Sequence, residues 1–293
     1  MNSYFFYSVF IILNIKRYYG GKAMRKQTKA MIIGVLFIAI FCCTVITGQN
    51  SEEKIYTNVE SSALSNVKIE WGIKRNDNHQ QPELGEKNKE LISKYNGIAM
   101  GNKDKNYIYL TFDLGYEAGY TDKILDALKN NNVQGTFFIT AHYVNTKPEL
   151  VQRMIDEGHI VGNHTVNHKS MPGLSDEELK KEVMDLHQAV YKKFGYEMKY
   201  LRPPKGEYSE RTLELCDKLG YKNVMWSFGY VDWDENNQPA EKEAIEKIIS
   251  NLHNGEVMLL HATSKTNAGI MDEVIKKARE AGYEWKSLDD FVE

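Results

Sequence analysis

The chain has 293 residues, of which 42% are hydrophobic and 26% charged, so it can bury one large α/β core. Its 37 basic and 40 acidic residues give a net charge of −3 at pH 7. This near-balance, without a basic block, argues against a nucleic-acid-binding class, and we expect no nucleic-acid partner.

The first 49 residues are predicted to be an export segment. A cationic stretch from Met24 to Lys29 precedes an uncharged apolar run from Ala30 to Ile46. This order is typical of a signal peptide or of an uncleaved signal anchor. We therefore predict an exported protein, located in the cell wall or anchored to the membrane by this segment alone. Met24 is the better start, because the cationic stretch follows it directly, and residues 1–23 would then be untranslated.

Two of the three cysteines, Cys42 and Cys43, lie in the export segment. Cleavage would leave Cys216 alone, so no intramolecular disulfide is expected and stability must come from the core. Neither Cys42 nor Cys43 follows a small residue, and no lipid anchor is expected.

Residues 50–106 are predicted to form a linker and an N-terminal extension. The linker is polar up to residue 68, and a short helical pattern appears later at Leu91, Ile92 and Tyr95.

From Tyr107 onward, short β-rich runs alternate with helical patterns. The β-rich runs are Tyr107–Phe112, Gly135–Thr140, His159–Gly162, Asn223–Trp226 and Glu256–Leu260. The helical patterns are Tyr120–Asn130, Pro148–Glu157, Asp176–Phe194, Ser209–Leu219, Ala240–Leu252 and Asn267–Ala281. Ser175 and Glu178 form a capping box that opens the long third helix. The alternation predicts an α/β fold with a parallel sheet, closed as a distorted (β/α) barrel over residues 107–293.

Charged or titratable residues follow one β-rich run after another. They are Asp113, His164, His168, Arg202, Asp232 and His261. Each residue alone is more often a turn residue, a helix cap, a surface residue or a buried histidine than part of a site. The carboxyl ends of parallel strands meet at one mouth of a barrel, so together these residues predict an active site there.

Five ordered motifs carry a resemblance to a known family. They are Thr111-Phe112-Asp113-Leu114-Gly115, His164-Thr165-Val166-Asn167-His168, Arg202-Pro203-Pro204-Lys205-Gly206, Asp232-Trp233 and Leu259-Leu260-His261. From Tyr107 to Glu293 the chain thus resembles the polysaccharide deacetylase (NodB-homology) family. Members of that family remove N- or O-acetyl groups from glycans in a distorted (β/α) barrel.

Further motifs are similar to the delta-lactam-biosynthetic de-N-acetylase branch of that family. They are Gly115-Tyr116-Glu117, Gly119-Tyr120-Thr121, Trp71-Gly72, Asn78-His79 and Pro82. The resemblance implies a hydrolase that deacetylates N-acetylmuramic acid in peptidoglycan strands after the peptide has been removed. It further implies a role in sporulation, with muramic δ-lactam of the spore cortex as the outcome and the forespore intermembrane space as a location.

The residues also fit the chemistry of amide hydrolysis, which needs an activated water and a proton for the leaving amine. Asp113 is the predicted base, the role of the aspartate in the family's first motif, and Arg202 would keep it ionised. His261 is the predicted acid. Asp232 would hold its imidazole in position and favour the protonated form, while Trp233 packs beside it.

Two imidazoles four residues apart can bind one divalent ion, so His164 and His168 are the predicted metal ligands, with zinc the expected ion. Lys205 carries the first free amide after two prolines, and in the family such an amide contributes to the oxyanion site. Lys205, Trp233 and Leu259 are therefore expected to contact the substrate or the oxyanion.

Leu114 departs from the family pattern, in which a second aspartate completes an Asp-His-His metal site. Three outcomes are open. The first is that His164 and His168 suffice with water, the second that Asp113 or Asn163 becomes the third ligand, and the third that the metal is weakly bound and the enzyme impaired. A bound but weaker site is favoured, because the other catalytic positions are intact.

Two other functions compete with a muramic acid deacetylase. One is a deacetylase of N-acetylglucosamine or chitooligosaccharides with the same fold, and the other is a catalytically silent glycan-binding protein. Asp113, Arg202, Asp232 and His261 argue against the silent protein, because binding alone needs neither an acid nor a base. The sequence leaves the oligomeric state open.

Overall fold

The structure, a computed structural model, describes residues 64–293. The predicted export segment, with Cys42 and Cys43, lies outside the described residues, as does most of the predicted linker. Among residues 64–293, no helix is both long enough and apolar enough to cross a membrane. Cys216 is buried as a free thiol.

Nine strands and eight α-helices lie within residues 64–293. The strands are β1 (Ile69–Glu70), β2 (Tyr107–Leu114), β3 (Thr136–Ile139), β4 (Ile160–Asn163), β5 (Tyr200–Leu201), β6 (Glu207–Tyr208), β7 (Lys222–Asn223), β8 (Glu256–His261) and β9 (Glu284–Lys286). The helices are α1 (Glu86–Lys94), α2 (Thr121–Asn130), α3 (Ala141–Thr146), α4 (Pro148–Asp156), α5 (Asp176–Phe194), α6 (Glu210–Lys218), α7 (Glu241–Asn251) and α8 (Lys265–Glu280).

A curled parallel sheet forms the centre of the fold. Its strands follow the order β7-β5-β4-β3-β2-β8, and every neighbouring pair is parallel. β9 pairs with the start of β2, on Tyr107 to Tyr109, whereas β3 pairs with Thr111 to Leu114. The sheet curls into a half-barrel with helices between successive strands, which confirms the predicted distorted (β/α) barrel.

Continuous apolar runs explain why the central strands are buried. In β2 every residue after Tyr107 is buried, as expected for a strand covered on both faces. Helices cover the sheet with one apolar face, as in α2, where Ile124, Leu125 and Leu128 are fully buried.

Local signals fix the bounds of the long helix α5. Ser175 and Glu178 form the predicted capping box, and the helix ends at Gly195, whose φ of 67° is left-handed. Its observed bounds, Asp176–Phe194, are those predicted. The elements that prediction missed are short, namely β1, β5, β6, β9 and α3.

Residues 64–106 pack against the same compact unit. β1 pairs antiparallel with β6, and the Trp71 indole donates to the Trp226 carbonyl at 2.9 Å. Leu91 and Ile92 of α1 join an apolar cluster that also contains Tyr208, Leu213 and Met225. The extension therefore lies beside the loops that follow β5 and β7.

Candidate active site

Strand register brings the predicted base and acid together. In the sheet, Asp113 of β2 is paired directly with His261 of the adjacent strand β8. Side chains of paired residues on neighbouring strands point to the same face, so both lie at one mouth of the half-barrel. Asn163 at the end of β4 pairs with Leu201 of β5, which places His164 and Arg202 at that mouth too.

Arg202 is fully buried and holds Asp113 as an anion. Its Nη1 donates to Asp113 Oδ1 at 2.8 Å, and its Nε and Nη2 donate to the carbonyls of Val224 and Met225 at 3.0 and 3.2 Å. The guanidinium lies over the Phe138 ring, 4.3 Å from its centroid. Burial alone would raise the pKa of Asp113, but the positive charge of Arg202, assisted by His164 and His261, lowers it. Asp113 is therefore ionised at neutral pH.

Asp232 orients His261 and favours its protonated form. His261 Nδ1 lies 2.7 Å from Asp232 Oδ1, and the His261 backbone N–H donates to Oδ2 at 2.8 Å. Asn267 Nδ2 also donates to Oδ2, at 2.6 Å. Burial alone would lower the pKa of His261, but the hydrogen bond and the charge of Asp232 raise it.

His164 and His168 face each other across a short gap. Their Nε2 atoms lie 3.1 Å apart, and His164 Nε2 is 3.6 Å from Asp113 Oδ2. His164 Nδ1 lies 2.8 Å from the Arg202 carbonyl, an arrangement that assigns the proton to Nδ1 and leaves a lone pair on Nε2. Burial lowers the pKa of His164 to about 4 and also lowers that of His168, so both imidazoles are neutral at pH 7.

These two imidazoles fit a divalent ion. Neutral rings with convergent Nε2 atoms, one oriented by a backbone carbonyl, are the donors that such ions bind in proteins. Among residues 64–293, however, no group of three or more His, Cys, Asp or Glu residues is arranged to hold a metal. The protein thus offers two firm ligands, His164 and His168.

Leu114 and Asn163 do not supply a third ligand in this arrangement. Leu114 is fully buried in β2. The Asn163 amide donates to Val183 O at 2.8 Å and Tyr221 Oη at 3.1 Å, and its Oδ1 accepts the Thr165 N–H at 2.8 Å. Turning Asn163 toward the metal site would break all three hydrogen bonds. Asp113, whose Oδ2 lies 3.6 Å from His164 Nε2, is the carboxylate beside these two imidazoles.

An open cavity of about 1360 Å³ lies over these groups. Asp113, His164, His168 and His261 line it, and so do the three predicted contact residues, Lys205, Trp233 and Leu259. Lys205 has a left-handed backbone, with φ of 60°, directly after Pro203-Pro204. Trp233 is 57% exposed, a more open position than the expected packing beside the imidazole would give.

Glu117 fixes the loop that follows β2. Its carboxylate accepts the backbone N–H groups of Gly119, Tyr120 and Thr121, and also the hydroxyl groups of Thr121 and Tyr143. Burial would raise the pKa of Glu117, but these donors lower it. A charged cap of this kind holds the loop in one conformation at the edge of the cavity.

The sequence did not single out Asn267 or Arg75. Asn267 lies at the start of α8 and reaches Asp232 only through the fold, so a local pattern carries no signal for it. Arg75 follows β1 in the N-terminal extension and lines the same cavity. Its position after the Trp71-Gly72 motif was the available sequence signal.

Comparisons with known proteins show which family the chain resembles. A family model described as polysaccharide deacetylase matches residues 100–224. An uncharacterized 30.6 kDa protein of Geobacillus stearothermophilus is 46% identical over 259 residues, which is 88% of this chain and 92% of that one.

A relative with a stated activity is the peptidoglycan-N-acetylmuramic acid deacetylase PdaA of Bacillus subtilis. It is 43% identical over 234 residues, covering 80% of this chain and 89% of that protein. The structure of that protein, described as a family 4 carbohydrate esterase, is similar with a TM-score of 0.76, covering 78% of this chain and 98% of that one.

Proposed function

The chain belongs to the polysaccharide deacetylase family, and from this membership we propose that it removes the N-acetyl group from N-acetylmuramic acid residues of peptidoglycan. The observation that carries the proposal is the pairing of Asp113 with His261 across β2 and β8. Amide hydrolysis needs an ionised base and a protonated acid on one substrate group, and the pKa values of these two residues are shifted in those directions.

In the proposed reaction the acetyl carbonyl lies between the two residues. Asp113 takes a proton from the attacking water, and Arg202 keeps the carboxylate ionised and fixed in direction. His261 gives a proton to the departing nitrogen, and Asp232 keeps its imidazole oriented for that transfer. The loop at Lys205 supports the oxyanion through its backbone amide.

Enzymes of this family are generally metal-dependent, and His164 and His168 would hold the ion here, with zinc the proposed species. When bound, the ion would polarise the acetyl carbonyl and make water more acidic. Protein dialysed against trace zinc should contain about one ion per chain, as one shared site requires. Full activity of metal-free protein in a strong chelator would contradict this part of the proposal.

The biological setting is part of the same proposal. Deacetylation leaves a free amine beside the lactyl carboxyl group of muramic acid, and a δ-lactam joins these two groups. We place the enzyme outside the cytoplasm, where peptidoglycan lies, with residues 24–49 as the export signal or anchor and the spore cortex as its substrate.

Mass spectrometry of muropeptides, before and after incubation with the purified protein and defined divalent ions, tests the proposal. Loss of acetyl from muramic residues is the expected result, and the Asp113→Asn variant is the control that should leave them acetylated. Loss of acetyl from glucosamine residues alone would show that the protein is instead an N-acetylglucosamine deacetylase. Tight glycan binding without any loss of acetyl would show the alternative raised by Leu114, a catalytically silent glycan-binding protein.

A further inference from the structure

The cavity carries unpaired positive charge. Its charged side chains, apart from histidines, are Arg75, Asp113, Lys205 and Lys247. The charge of Asp113 is already paired with the guanidinium of Arg202 at 2.8 Å. Within residues 64–293, none of Arg75, Lys205 and Lys247 has a carboxylate within ion-pair distance, 4.0 Å. The cavity therefore suits a glycan that carries an anionic group, and a neutral glycan would leave these charges unused.

Arg75 is held in place by neutral groups. Its Nη2 donates to the Gly229 carbonyl, and its guanidinium lies 5.5 Å from the centroid of the Phe228 ring. Neither partner neutralises the charge, and a guanidinium has five N–H donors, most of which remain for a ligand. Its planar donors match a carboxylate better than the point charge of a lysine does.

The backbone that leads into Arg75 is anchored at two residues, Trp71 and Lys74. The Trp71 N–H donates to the Gly206 carbonyl at 2.9 Å, and Lys74 exchanges two backbone hydrogen bonds with Glu83, each of 2.9 Å. Gly206 itself lines the cavity, directly after Lys205. Arg75 is thus presented to the cavity by a fixed segment, which limits the entropy lost when a ligand binds.

We propose that Arg75 determines specificity by binding the lactyl carboxylate of muramic acid, with Lys205 and Lys247 adding longer-range attraction. This inference rests on the proposed function, because that carboxylate distinguishes muramic acid from glucosamine. Arg75 lies before residues 100–224, the part that matches the family model. The N-terminal extension thus supplies the selectivity, and strands β2 and β8 supply the base and the acid.

The test compares two tetrasaccharides of alternating N-acetylglucosamine and N-acetylmuramic acid. One carries free lactyl carboxylates, and in the other each carboxylate is converted to its methylamide. The wild-type protein should prefer the carboxylate form by about 10- to 100-fold in kcat/KM, mainly through KM, as expected for a charge-assisted hydrogen bond. The preference should weaken as the salt concentration rises.

Three variants connect this preference to Arg75. Arg75→Gln should reduce the ratio of carboxylate to methylamide kcat/KM toward one, and Arg75→Lys should give an intermediate ratio. Lys74→Gln is the matched control, because Lys74 is the neighbouring residue and its side chain pairs with Glu83 at 2.8 Å. It should keep the wild-type ratio.

The affinity of the protein for each tetrasaccharide, measured by calorimetry, separates this inference from the proposed function. If the protein deacetylates neither tetrasaccharide but binds the carboxylate form more tightly, and Arg75→Gln removes that difference, the proposed function fails and the inference stands. Equal affinity and equal kcat/KM of the wild-type protein for both forms would overturn the inference. So would an unchanged preference in Arg75→Gln.

Discussion

Strand β8 has a histidine–carboxylate pair at each end, and the pKa of the histidine is shifted in opposite directions in the two pairs. At its start, His253 Nδ1 lies 3.3 Å from Glu256 Oε2, and both side chains are buried. Burial lowers the pKa of His253 to about 4 and raises the pKa of Glu256 well above its usual value, so burial favours the neutral form of both side chains. At its end, Asp232 raises the pKa of His261.

The number of donors around each carboxylate explains the difference. Asp232 accepts three hydrogen bonds, from the His261 ring, the His261 backbone N–H and Asn267. Glu256 Oε2 accepts the His253 N–H at 3.1 Å, whereas the buried Oε1 has no hydrogen-bond partner. His253 Nδ1 lies 2.9 Å from a different acceptor, the Asn251 carbonyl. The carboxylate that accepts more hydrogen bonds is thus the one that raises the pKa of its neighbouring histidine, and proximity alone does not have this effect.

The largest expected effect comes from removing the acid, His261 at the end of β8, or the base, Asp113, which is paired with it on β2. Asp113→Asn and His261→Ala should each lower kcat by at least about 100-fold, the scale of lost acid–base catalysis, with little change in glycan binding. Steady-state kinetics and calorimetry with the carboxylate tetrasaccharide measure both quantities. Near-normal turnover of Asp113→Asn with reduced metal content would instead make Asp113 a ligand.

The second prediction concerns a new carboxylate introduced at position 114. Leu114→Asp should destabilise the metal-free protein by about 3 kcal/mol, because it places a charged group at a fully buried apolar position. If the carboxylate reaches His164 and His168, added zinc should restore stability, and calorimetry should show tighter binding than in the wild-type protein.

Leu110→Asp is the control for that variant, since Leu110 is buried in the same strand but lies further from its carboxyl end, where Asp113 and Gly115 line the cavity. It should be destabilised without recovery in zinc. The milder Leu114→Asn serves if neither aspartate variant folds. Zinc affinity at or below that of the wild-type protein in both Leu114 variants would show that position 114 does not reach the metal.

The third prediction concerns the pH dependence that Asp232 sets. Activity should fall at low pH as Asp113 is protonated, below the usual carboxyl value, and at high pH as His261 loses its proton, above the usual histidine value. Asp232→Asn removes the charge that raises the pKa of His261, so the alkaline limb should move to lower pH by at least about one unit. Asp234→Asn, a nearby change outside this pair, should keep the wild-type profile.

The smallest effect is expected at the start of β8, where Glu256 lies beside His253. Glu256→Gln replaces a neutral acid by a neutral amide of the same shape, and should change stability at pH 5 by less than about 1 kcal/mol. In the wild-type protein, the raised pKa of Glu256 means that stability is lost as pH rises from the unfolded value through the folded one. The variant lacks this loss and should be relatively more stable at pH 9 in denaturant titrations. A parallel stability profile for the two proteins would show that Glu256 is ionised when buried.

The sequence predicted features that depend on local patterns. The bounds of α5 were correct because its signals, Ser175, Glu178 and Gly195, lie at its ends. The mouth of the half-barrel was predicted because parallel topology places all strand ends together. β5 and β9 were missed because they have two and three residues, and their identity depends on distant partners.

Within the candidate site, sequence predicted the groups but not their supporting contacts. Asp113, His164, His168 and His261 all line one cavity, as the motifs indicated, although their chemical roles remain predictions. Asn267 was missed because its contact with Asp232 spans 35 residues.

The pairing of β1 with β6 has a consequence for the order of assembly. Lys68 and Glu207, which form an ion pair beside these strands, are separated by 139 residues. A ribosome makes the chain from its N-terminus, so β1 must wait for most of the protein to be synthesised before its partner strand exists. Contacts of such high sequence separation form slowly, because a long loop must close first. The wall of the cavity that carries Arg75 therefore cannot be completed during early synthesis, and the finished pocket is a property of the nearly full-length chain.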